Sequence, residues 1–143
     1  MANIIPDAFK EEILKGTHNF ASSGGNTFKL ALYTDISGLS TSTTAFTTTN
    51  EVSSSGTNYS SGGNSLTNNG VSVPGSNTAV IDFADLTFSS VTLTAVGAMI
   101  YNSTNSNKVC LVLDFGGSKT ATNGDFIIQF PAVGATTAIF RIA

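Results

Sequence analysis

Apolar and polar residues alternate with a period of two over Thr27-Phe28-Lys29-Leu30-Ala31-Leu32-Tyr33-Thr34, placing Phe28, Leu30 and Leu32 on one face and Lys29, Ala31 and Tyr33 on the other. This pattern predicts a half-buried β-strand. Apolar or alternating runs recur at 79–83, 91–101, 108–115, 125–130 and 138–142 and predict further strands. Turn chemistry bounds them: the Asn/Ser/Thr stretch at 102–107, Gly116-Gly117-Ser118, Asn123-Gly124, and Pro131 followed by Gly134. Parallel strands need crossover connections, and no helical pattern lies between these runs, so the sheets are expected to be antiparallel. The expected fold is all-β: an antiparallel, jelly-roll-like β-sandwich preceded by a short N-terminal α-helix. Phe83, Val96, Ile100, Leu111, Leu113, Ile127 and Phe130 are expected to fill its core.

The helix is read from its ends. Pro6 suits a first helical position, Asp7 and Glu11 the positive end, Lys15 the negative end, and Gly16 a stop. Phe9, Ile13 and Leu14 are read as one apolar side opposite Lys10 and Glu11, a stripe that must dock on the chain's own sheet or on another protein. From Asp35 to Asn77 the chain is mostly Ser, Thr, Asn and Gly, with isolated anchors such as Leu39, Phe46, Tyr59 and Leu66. Short edge strands are expected there near 47–52 and 71–73, tied by long surface loops. No period repeats, which excludes a solenoid. A length of 143 residues supports one core, so the division expected is 1–20 for the helix and connector and 21–143 for a single β-domain.

Charged residues are only 10% of the chain, against roughly 25% in ordinary soluble domains. With 41% hydrophobic residues, ten of them Phe, the chain has enough apolar surface to fold, and its exterior is expected to be neutral and hydroxyl-rich. A net charge of −3 with no Lys/Arg cluster removes nucleic acid from the expected partners. No apolar run approaches the roughly 20 residues that cross a bilayer, and Met1 to Pro6 lacks the features of a signal peptide. The expectation is no membrane association and assembly in a cytoplasm. The single cysteine, Cys110, lies in an apolar run and is expected to be a small buried residue.

Chemistry is sparse. His18 is the only histidine, just past the helix, and is expected to bond a nearby carbonyl, with a share in a subunit contact as the alternative. One His and one Cys do not make a zinc site, and no acidic loop offers calcium ligands. Two of Asp82, Asp85, Asp114 and Asp125 could flank a sugar as a hydrolysing pair, but aspartates at strand ends are usually turn formers. The Gly-rich pieces lack the order of a phosphate loop, and the two Asn-x-Ser/Thr patterns fit accidents of composition. No catalytic residue, metal or organic cofactor is expected.

The order of the pieces carries a resemblance. The segment 3–20, then Thr27 to Tyr33, Thr49-Asn50-Glu51-Val52, Asp82-Phe83-Ala84-Asp85 and Ile128-Gln129-Phe130-Pro131-Ala132, resembles small virion structural proteins of tailed bacteriophages. The resemblance runs over nearly the whole chain, although these motifs are not catalytic signatures. It implies a capsid decoration or cement protein on the outside of an icosahedral head, bridging copies of the major capsid protein as a homo-oligomer, dimer or trimer. The candidate interface residues are then Phe9, Lys10, Ile13 and Leu14. Two other readings stand beside it. One is a tail or head-fibre component that contacts the host. The other is a carbohydrate-binding module, which needs an exposed aromatic platform from Tyr33, Tyr59 or Tyr101.

Overall fold

The computed structural model describes residues 2–143. It contains one helix, α1 (Asp7–Leu14), and seven strands: β1 (Phe28–Tyr33), β2 (Asn64–Ser65), β3 (Asn68–Gly75), β4 (Thr78–Phe83), β5 (Leu86–Asn102), β6 (Lys108–Ile128) and β7 (Phe140–Ile142). The strands form two sheets, four-stranded in the order β2-β1-β5-β6 and three-stranded in the order β3-β4-β7, with every pairing antiparallel. The protein is therefore mostly antiparallel β with one short helix.

One face of the larger sheet, through Leu30, Leu32, Ile100 and Leu111, shares a cluster with Phe9, Phe20, Ile81 and Phe83. Its other face, through Ala31, Tyr33, Met99 and Tyr101, packs on Ile36, Leu39 and Phe46. The strand read as half-buried is thus buried on both faces, because the polar stretch after β1 folds back over it. Polar contacts fasten that cover. Tyr33 and Tyr101 donate their hydroxyls to the carbonyls of Thr47 and Gly62 at 2.6 and 2.7 Å. Glu51 accepts from the Tyr59 and Ser61 hydroxyls, both at 2.8 Å. A Cβ on Gly63 would lie 1.8 Å from the Leu30 carbonyl oxygen, so only glycine lets this segment meet β1. The edge strand expected at 47–52 is reduced to one bridge, Tyr33 to Glu51, whereas that expected at 71–73 is part of the longer edge strand β3.

The largest difference from expectation is β6. The expected turns at 116–118 and 123–124 do not end strands; β5 and β6 form one long hairpin interrupted by bulges. Ala95 pairs with Lys119 and Gly97 with Asp114, so Phe115 to Ser118 all stand opposite Val96. A second bulge, with Asn123 at φ 47°, adds one residue between Ala121 and Gly124. An added residue reverses which side chains face inward. Phe126 and Ile128 are therefore buried, and Ile127, expected in the core, is 60% exposed. Val96 is half-buried, while Phe83, Ile100, Leu111, Leu113 and Phe130 are buried as expected. Ile127→Ala should accordingly change stability by no more than roughly 0.5 kcal/mol in urea unfolding, the usual scale for a surface change; a loss of several kcal/mol would show that the inversion is wrong.

Candidate docking surface

Helix α1 divides its residues between the core and solvent. Its first amide, that of Asp7, donates to the Thr41 carbonyl at 2.8 Å, and Gly16, at φ 71°, ends it as read from the sequence. Phe9 is fully enclosed, with its ring centroid 5.1 Å from His18, 5.3 Å from Phe140 and 6.1 Å from Phe20. As a candidate interface residue it is thus withdrawn into the chain's own core. Lys10 is exposed and pairs with Asp7, and Ile13 is half-buried against the core. Leu14 is 89% exposed. Five positions separate it from Phe9, about 140° around a helix at 3.6 residues per turn, so it leaves the stripe to which it was assigned.

The inward stripe instead carries Glu12, three residues after Phe9. Its carboxylate accepts from Lys108 Nζ at 2.6 Å and from His18 Nε2 at 2.8 Å. Burial alone would raise the carboxyl pKa, but the hydrogen bonds from Lys108 and His18 and the charge of Lys108 outweigh it and hold the group below its ordinary value. On the other side of the imidazole, Asn102 Nδ2 donates to His18 Nδ1 at 3.0 Å. The orientation of that amide is set by Asn102 Oδ1, which accepts the amides of Thr104 and Asn105. His18 Nδ1 is therefore the acceptor, and Nε2 carries the proton given to Glu12. His18 bonds a carboxylate and an amide, not the carbonyl expected.

Cys110 Sγ lies 3.9 Å from His18 Nδ1, which completes a thiol, imidazole and carboxylate series. The series has the members of a nucleophilic site but not the access. Cys110 is 1% exposed, the His18 side chain is sealed, and burial pushes the thiol far above its ordinary value. What the arrangement does is join α1, the connector after it, β5 and β6 at one buried point. Sequence reasoning missed Glu12, although its spacing from Phe9 and the single nearby histidine were the available signals.

Adjoining this clamp and sharing His18 with it, Ile13, Val71, Ala79, Phe140 and Ile142 line a mostly apolar groove of about 130 Å³ between α1 and the smaller sheet. No Asp, Glu, Lys or Arg lines it. Two of its large apolar side chains stand well exposed, Val71 at 56% and Ile142 at 52%. The three tyrosines considered as a sugar platform are all buried, and burial raises their hydroxyl pKa values, that of Tyr101 to about 12. Among the described residues no cluster of three or more His, Cys, Asp or Glu side chains is placed to hold a metal, and no helix is long and apolar enough to cross a membrane. Compared with protein-family models, curated proteins and solved structures, the chain shows no match.

Proposed function

We propose that this chain is a non-enzymatic virion structural protein: a jelly-roll-like β-sandwich that cements the outside of an icosahedral phage head by bridging major capsid protein subunits. The observation that carries the reading is Leu14, almost fully exposed on a helix whose opposite side is clamped into the core; the same helix also borders, through Ile13, an apolar groove against the smaller sheet. An exposed apolar side chain on a firmly clamped helix, flanked by lysines and carboxylates that already pair with one another, meets a protein partner with little conformational entropy to lose. Cement acts by linkage: a protein that binds only the assembled shell shifts the balance toward that shell, so modest contacts suffice when many copies act together. The sealed thiol fits a part that performs no reaction.

The test adds purified Leu14→Asp protein to undecorated expanded capsids and counts bound copies. Because Leu14 contributes little to the core, the variant should keep the parental unfolding midpoint and lose at least tenfold in occupancy. Undiminished occupancy would remove α1 from the attachment surface. Imaging of the virion separates cement from the fibre reading, with copies spread over the whole shell for the former and confined to vertices or tail for the latter.

A further inference from the structure

We infer that a second surface, the pocket along the bulged half of β6, is a binding site for a neutral sugar. The pocket measures about 400 Å³, within the usual span for small-molecule sites. Its lining includes Phe115, Lys119, Asp125, Phe126 and Gln129.

Three features of this place require explanation together. First, Phe115 is the opening residue of the four that stand opposite Val96, and the loop is carried by Gly116 at φ 72° and Gly117 at φ 147°, backbone that other residues rarely adopt. Bulges re-aim side chains and concentrate beside binding sites. This one turns a half-buried Phe115 into the pocket wall, with its ring 6.0 Å from that of Phe126 and tilted by 44°.

Second, polar groups of complementary kinds line the same pocket as the half-buried Phe115, which rests on the buried Phe126. Lys119 and Gln129 are exposed, and neither makes a side-chain hydrogen bond or ion pair among the described residues. Asp125 accepts one bond, on Oδ1 from the Ser90 amide at 3.2 Å, which leaves Oδ2 for a ligand. Third, charge is scarce in this chain, and three of its lysines, Lys10, Lys15 and Lys108, are already paired with carboxylates. A lysine and an aspartate placed at one pocket are therefore a notable expenditure of charge.

An aromatic wall with a donor, an acceptor and an amide around it suits a pyranose, whose C–H face packs on a ring while its hydroxyls both donate and accept. The pocket is shallow and wet, so a zwitterion held between Lys119 and Asp125 would gain only the small energy of solvent-screened ion pairs. A neutral polyol loses less there. The site lies on β6, whereas the docking groove lies between α1 and the smaller sheet, so the inference stands whether or not the protein binds a capsid.

The experiment titrates the purified protein with glucose-, galactose-, mannose- and N-acetylglucosamine-terminated oligosaccharides and with free phenylalanine, following amide chemical shifts. At least one sugar should bind in the millimolar range or tighter, with shifts centred on 115–129, and Phe115→Ala should weaken it at least tenfold. Should Phe115→Ala fold poorly, Lys119→Ala/Gln129→Ala alters only exposed groups and should weaken binding by at least threefold. Leu14→Asp should leave sugar binding unchanged. No binding across the panel, binding that ignores both pocket variants, or binding of phenylalanine alone would overturn the inference.

Discussion

Truncating Phe9 to alanine should lower the stability of the isolated protein by about 3–5 kcal/mol, the range for removing a large aromatic from a packed core. The ring is fully enclosed and touches the rings of His18, Phe20 and Phe140, which come from the connector after α1 and from β7. Its loss leaves a void where three parts of the chain meet, and Pro6 and Glu12, themselves buried, limit how far α1 can settle inward. Since whole domains are stable by only about 5–15 kcal/mol, the urea midpoint should fall by a large fraction of its value. The competing account, in which the apolar side of α1 is kept for a partner, expects the isolated fold to be almost indifferent. A loss below about 1 kcal/mol would favour that account and would mean that the enclosure of Phe9 is not maintained in solution.

The strands legible in the sequence were those with dense apolar runs. β1, β4 and the arms of the β5–β6 hairpin where it joins the core all have enough Val, Ile, Leu and Phe at the right spacing to declare themselves. The expected breaks in β6 failed for a specific reason: Gly-Gly and Asn-Gly satisfy the backbone needs of a turn and of a bulge equally well, since both require positive φ. Only the length of the partner strand distinguishes them. Given the 17 residues of β5, a strand that continues through the glycines finds a partner along its whole course. The cover over the second face of the larger sheet was illegible for another reason. Ile36, Leu39 and Phe46 are too far apart to show a period, and their burial depends on a fold-back fastened by Glu51 and the tyrosine hydroxyls.

The helix itself is legible in the sequence, but its rotation is not. Counting Phe9, Ile13 and Leu14 as one side tolerates a departure of about 140° by Leu14, and it hides Glu12, which falls on the inward stripe. An acid on the core side of a helix is normally a reason to reject the assignment, because burying a carboxylate without partners is costly. Its partners sit far away in the chain: Lys108 is 96 positions distant, and Asn102, which orients the shared histidine, lies 84 from His18. Pairings at such separation leave no local trace in composition or periodicity.

Glu12→Gln is the second large effect expected, about 1–3 kcal/mol at pH 7, the range for leaving a buried donor without its acceptor. The neutral amide has a single acceptor where two donors, Lys108 Nζ and His18 Nε2, now converge, so one donor is left facing an NH2 group. Lys108 is 39% exposed and can turn to water, but the sealed His18 cannot, so the deficit falls on the buried side. The sign of the pH dependence follows from the depressed carboxyl. In the unfolded chain the group takes up a proton near its ordinary value of 4.5, whereas in the folded protein it does so only at lower pH. Its contribution is therefore fully present above pH 4.5 and is lost as pH falls through the folded value. Urea unfolding of the parent and of Glu12→Gln between pH 7 and pH 3 should show a stability gap that narrows with acid, since the other carboxylates titrate in both proteins alike. A gap that stays constant over that range would show that the carboxylate charge is not what holds α1 to β6.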